Sequence, residues 1–136
     1  MSTPTPTTVR INPSRWNAQF RFDHAQLRPA PREVLTIAGQ ASVDNDGTVL
    51  HEGDVGAQLS LAMHHIEEIL ATADMTLADV FMLTIYSTDI PATLAAYEAL
   101  TERLDAHGAT PPAALIGVAA LALPGLAIEI TAQAGR

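Results

Sequence analysis

Neither cysteine nor lysine occurs in this chain of 136 residues. The first absence excludes thiolate nucleophiles, disulfides and cysteine metal sites. The second excludes Schiff-base chemistry through a lysine amine, including covalent attachment of pyridoxal phosphate. Aromatic residues make up only 4% of the chain, so a core must be packed from Ala, Leu, Ile and Val. Cations are scarce as well: seven arginines face fifteen acidic residues, for a formal net charge of −8. Phosphate binding needs clustered cations and none cluster here, so no nucleic-acid partner is expected, and an anionic membrane surface is disfavoured for the same reason. The opening MSTPTPTTVR has no basic stretch leading into an apolar run, so no signal peptide is expected and the default location is cytoplasmic.

What the chain does have is apolar bulk, with 48% hydrophobic residues and a mean hydropathy of +0.17. That suffices for one domain of ordinary size, roughly 100–150 residues, with material left for a buried subunit interface. The apolar run 111–128 is near the lower limit for a spanning helix, roughly 17–25 residues. Pro111-Pro112 opens it and Pro124-Gly125 breaks it, so two buried strands joined by a turn are expected and no membrane span.

Residues 1–8 are rich in Ser, Thr and Pro and read as a disordered tail before a domain over 9–136. Val9-Arg10-Ile11 is a short strand, and 14–32 reads as irregular with a short strand near Phe22. A strand over 34–38 enters a Gly39-Gln40 turn, and Asp44-Asn45-Asp46-Gly47 marks a hairpin or loop. The clearest helix is 54–74: Val55, Leu59, Ala62, Ile66, Ile69 and Leu70 recur at helical spacing, and Asp54 can cap it. Over 80–87 alternation predicts a strand, with Phe81, Leu83, Ile85 and Ser87 on one face and Met82, Thr84 and Tyr86 on the other. Asp89 and Pro91 open a second helix whose stripe is Leu94, Tyr97, Leu100 and Leu104, and Gly108 stops it. Strands over 113–120 and 126–134 close the chain. The order predicts an α+β domain, a sheet with two helices on a single face. Apolar residues on both faces of the last strands point to a homo-oligomer that covers the second face.

Between Pro111 and Ala134 the only charged side chain is Glu129, set between Ile128 and Ile130. Such a carboxylate must find a partner, reach water or hold its proton to higher pH, and a raised pKa would suit acid–base work near neutrality. The plainer alternative is an exposed strand face or an arginine to neutralise. Next come the Gly39-Gln40 turn and the strand end Tyr86-Ser87-Thr88, because a rigid sheet fixes groups at its strand ends. His64 and Glu68 stand at helical spacing, but a zinc site wants a third ligand, so the expectation is a wet helix face and no metal.

The segments IAGQASVDNDGTVLHEGDVGAQ, LSLAMHHIEEILATADMTLADV, FMLTIYSTDI and VAALALPGLAIEITAQA, in this order, resemble the RidA/YjgF family of reactive-intermediate deaminases over roughly 22–134. The resemblance implies a chorismate-mutase-like α+β fold. It also implies a homotrimer whose sheets line a central barrel, with small-molecule pockets at the subunit interfaces. The implied chemistry is hydrolysis of imines or enamines to ketoacids and ammonia, without metal or organic cofactor. Glu129 fits the family's water-handling Glu, and Gly39-Gln40 fits its turn, with Ala38 where Ser is common. Phe22 stands at the Tyr position. Ala113-Ala114-Leu115 stands at the Arg-Ser-Cys-type triplet, so the carboxylate-binding Arg is missing and its bidentate contact with it. Arg15, Arg21 or Arg28 is left to enter the cleft from the preceding loop. The pocket so implied holds Phe22, Ala38, Gly39, Gln40, Tyr86, Ser87, Ala113, Ala114 and Leu115 around Glu129. Three readings follow: a divergent acid–base enzyme on a less polar imine, enamine or enol-like molecule; a non-catalytic trimeric binder of a small molecule or protein; or an ordinary deaminase with a relocated Arg.

Overall fold

The computed structural model describes residues 7–136. Of the expected disordered tail, only Thr7 and Thr8 fall among them, both exposed; the rest lies outside the described residues. The elements are β1 (Val9–Ile11), β2 (Ala25–Leu27), β3 (Val34–Ala41), α1 (Val55–Thr72), β4 (Val80–Ser87), α2 (Ile90–Ala95), α3 (Glu98–Ala106), β5 (Ala113–Gly117) and β6 (Ile128–Gly135). β1 and β2 pair antiparallel as a separate ribbon, while the main sheet has the order β3-β6-β4-β5. Only β4 and β5 run parallel. The result is a mixed sheet with its helices on one side.

α1 forms where the periodicity places it. Asp54 accepts the Ala57 N–H at 3.0 Å, satisfying one of the orphan donors of the first turn. Leu59, Ala62, Met63, Ile66 and Leu70 then face the sheet and are fully buried. Each large one contributes about 1.5–3 kcal/mol by leaving water. From the sheet they meet Leu83 and Ile85 of β4 and Ile128, Ile130, Ala132 and Ala134 of β6.

Several expectations need correction. The second helix is broken: α2 ends at Ala95 and α3 begins at Glu98. Thr93 is the buried residue of α2, because its hydroxyl meets Ser87 Oγ at 2.7 Å and donates to the Asp89 carbonyl at 2.8 Å. That contact turns Leu94, expected inside, outward to 47% exposure. On β4, Val80 replaces Phe81 on the helix side, since the register against β6 slips between Val80 and Met82. The short strand expected near Phe22 forms three residues on, as β2, and Phe22 itself follows a single 3-10 turn (Ala18–Phe20). β5 and β6 are shorter than expected, and β4 lies between them. The second face of β6 is not apolar: it presents Glu129, Thr131 and Gln133, and the exposed apolar residues beside them are Met82 and Ile116. No helix among the described residues is long and apolar enough to cross a membrane.

Candidate active site

Glu129 is placed by three strands. It lies opposite Ala41 on β3 and opposite Tyr86 on β4, on the sheet face that carries no helix. The expected turn at Gly39-Gln40 is instead a bulge inside β3. Ile37 faces Ala132 and Gln40 faces Ile130, so three steps on β3 match two on β6. Gln40 braces the bulge locally, donating to the carbonyl of Ala38 at 3.1 Å. The glycine has a specific reason. A Cβ on Gly39 would stand 2.7 Å from Cδ and 2.9 Å from Oε1 of Glu129, so the carboxyl lies directly over this residue. Gly39 is not in the left-handed region, and only this close approach demands glycine. Glu129 is half-buried and makes no hydrogen bond or ion pair among the described residues. Its acceptor capacity is therefore free for water or a ligand.

Behind the strand, Gln58 of α1 is fully buried and fixes the approach to Glu129. Its amide nitrogen donates to the carbonyls of His51 and Gly125, and its oxygen accepts the Ala127 N–H at 2.8 Å. Ser87, expected beside Tyr86, faces the helices, where its hydroxyl accepts the Asp89 N–H at 2.9 Å and helps start α2.

A second group of the expected residues gathers at the free edge of β5. Phe22, Ala113, Ala114 and Leu115 line an open cleft of about 360 Å³ together with Trp16, Phe20, Leu94 and Tyr97. The sequence reading missed the last four. The signal was available: Trp16, Phe20 and Phe22 fall within seven residues of a chain with six aromatics in all. Burial pushes the Tyr97 phenol up to about 12. The β5 backbone adds polar atoms. Leu83 donates to the Pro112 carbonyl and Val118 to the Ser87 carbonyl. In a parallel ladder bonded residues alternate, so the N–H and C=O groups of Ala113 and Leu115 point away from β4, to the edge.

The segment carrying the aromatics, 12–24, is held by Asp23, whose side chain is 1% exposed. Arg10 contacts both its oxygens, and Asn12, Gln26 and Thr110 donate at 2.8–2.9 Å. Burial alone would raise this carboxyl, but those bonds outweigh it and hold the pKa well below the ordinary range. The Asp23 amide also donates to the Thr110 carbonyl, and Asn17 donates to the Phe22 carbonyl. None of the three arginines left to enter the cleft lines it. Arg15 and Arg21 line a separate pocket of about 190 Å³, Arg21 pairing with Asp105 at 3.0 Å. Arg28 donates to the Val80 carbonyl at 2.9 Å.

The expected site thus divides. Ala113 and Leu115 share the helix side with Leu83 and Ile85, whereas Glu129 shares the open side with Tyr86. Within one chain the acid does not line the aromatic cleft.

A mixed sheet backed by helices on one face and carrying a lone carboxylate on the other defines an α+β protein with a candidate acid–base site. The chain belongs to the family described as Endoribonuclease L-PSP, the RidA/YjgF family, whose model matches residues 15–135. It is similar to a Yersinia pestis protein, YyfB, described as of unknown function in the conserved Rid family. Identity is 35% over 95% of this chain and 98% of that one, with a TM-score of 0.83. Mycobacterium tuberculosis Rv2704, of the YjgF/YER057c/UK114 family, is 27% identical over 96% of this chain and 100% of that one, at a TM-score of 0.63. Escherichia coli TdcF, solved with bound serine, is 25% identical over 86% of this chain and 94% of that one, at 0.68.

Proposed function

We propose that this is a divergent RidA-family enzyme, free of cofactors, in which Glu129 handles a proton or water for hydrolysis of a small, weakly polar imine or enamine. The observation that carries this reading is the unpaired Glu129 carboxyl lying over Gly39 on an uncovered sheet face. In the reaction Glu129 takes a proton from water as the oxygen attacks the C=N carbon. It passes that proton to nitrogen, giving a carbinolamine. It then carries the hydroxyl proton to the same nitrogen as the C–N bond breaks, so that a carbonyl compound and ammonia leave.

Assembly as a homotrimer belongs to the same proposal. Met82 and Ile116 are exposed on the sheet face that carries Glu129, and the cleft at the β5 edge does not include the acid. A pocket holding both needs a neighbouring copy. Within one chain a relocated arginine finds no support, since none of its arginines lines the cleft. The family's endoribonuclease description fits this chain poorly on charge, with −8 overall and Arg10, Arg21, Arg28, Arg103 and Arg136 already engaged. A second reading, a non-catalytic trimeric binder of a small molecule, is favoured by the open, charge-free cleft.

The test is ammonia release from imines generated in situ, by an amine oxidase for neutral imines and by a pyridoxal-phosphate-dependent dehydratase for those from serine or threonine. Acceleration that disappears in Glu129→Gln is expected, strongest with neutral imines. No acceleration of any imine refutes catalysis and leaves the binder.

A further inference from the structure

Four of the six aromatic side chains of this chain converge on one cleft, and no charged side chain lines it. Trp16 stands edge-on to Phe22 at 5.7 Å and 74°, and Phe20 stands edge-on to Tyr97 at 5.5 Å and 86°. Rings at these angles offer a mixture of faces and edges, the arrangement in which another aromatic ring finds its preferred offset or T-shaped contacts. They are packed against one another and do not splay apart as a cage around an ammonium group would require. A carboxylate is disfavoured too, since it would give up water without meeting a cation in the lining. The polar atoms at hand are neutral: the outward N–H and C=O groups of Ala113 and Leu115, and the Tyr97 hydroxyl, which has no partner among the described residues. Such groups suit a carbonyl or imine head.

We infer that the cleft selects uncharged molecules carrying an aryl ring close to a carbonyl or imine group. The ring packs on the wall of Trp16, Phe20 and Tyr97, and the head bonds to the edge of β5. This rests on the cleft being the substrate site of the proposed reaction, and it narrows the substrate to aryl compounds without a carboxylate.

Trp16 is the only tryptophan, so its indole N–H gives a single NMR signal that reports on the cleft. The probes are phenylacetone, phenylpyruvate, which adds a carboxylate, and cyclohexylacetone, which removes the π system. Phenylacetone is expected to shift that signal saturably and to bind at least tenfold tighter than either of the others. By calorimetry, Trp16→Ala and Phe22→Leu are expected to weaken it at least tenfold. Trp16 is 58% exposed, so its removal does not threaten the fold. Phenylpyruvate binding as tightly overturns the selection against charge, and cyclohexylacetone binding as tightly overturns the aryl preference. No phenylacetone binding, or binding unchanged in Trp16→Ala, overturns the site. The proposed reaction fails separately. If only the aryl inference is wrong, ammonia release from aliphatic imines still depends on Glu129. If the reaction is wrong, phenylacetone binds and no imine is hydrolysed.

Discussion

Asp23→Ala removes one carboxylate and strands four donors at once. Arg10 is 61% exposed, so its guanidinium regains water and little is lost there. Asn12, Gln26 and Thr110 donate to Asp23 from partly buried positions, and each unmade bond costs about 1–3 kcal/mol. The cavity left is polar and large enough for water to recover part of this, so the net loss is about 3 kcal/mol. For a chain of this size that lowers Tm by roughly 10–15 °C. Circular dichroism at pH 7 and one fixed protein concentration measures it, concentration being held because assembly would shift Tm. The same scans against pH check the cause. The folded pKa of Asp23 lies below its unfolded value, so its stabilisation is complete above about pH 4 and fades as pH falls toward the folded value. The gap between wild type and Asp23→Ala therefore narrows below about pH 4. A Tm drop under about 3 °C, or a gap independent of pH, refutes the assignment of Asp23 as the anchor of the aromatic segment.

Gly39→Ala is tolerated by the backbone but pushes the Glu129 carboxyl aside. Imine hydrolysis is expected to fall at least about tenfold while the thermal transition stays near that of wild type. Gln58→Leu leaves the Ala127 N–H and the Gly125 carbonyl without partners, while the His51 carbonyl keeps the Asp54 N–H, and a loss of about 2–4 kcal/mol is expected in urea unfolding. His64 and Glu68 form an exposed pair on α1, so His64→Ala should change stability by less than about 0.5 kcal/mol in the same assay.

Where sequence alone succeeded, one period dominated. α1 repeats its apolar residues over five turns, and β4 alternates cleanly from Met82 to Ser87, so both were legible to within a residue or two. The failures came where a tertiary contact outvoted local pattern. Nothing at Ala96-Tyr97 marks a break, and the Ser87–Thr93 hydrogen bond that rotates α2 joins residues from different elements. Gly39 looked like turn chemistry; its actual reason, a carboxyl arriving from β6, is invisible in β3 alone. Glu129 stood out because no other charge lies near it in sequence. The cleft was half legible: Phe22 and the Ala113–Leu115 stretch came from family resemblance, whereas Tyr97 was assigned to the core stripe. It does pack against the core together with Leu100 and Leu104, and that assignment hid the side it turns to the cleft.

The crowding between Gly39 and Glu129 ties the fates of two positions ninety residues apart. A chain that traded its acid for alanine would open room on the neighbouring strand, and position 39 could then drift to a small side chain without harm. Regaining the acid afterwards would require undoing that second change first. The lost function would be held away from recovery by a single methyl group.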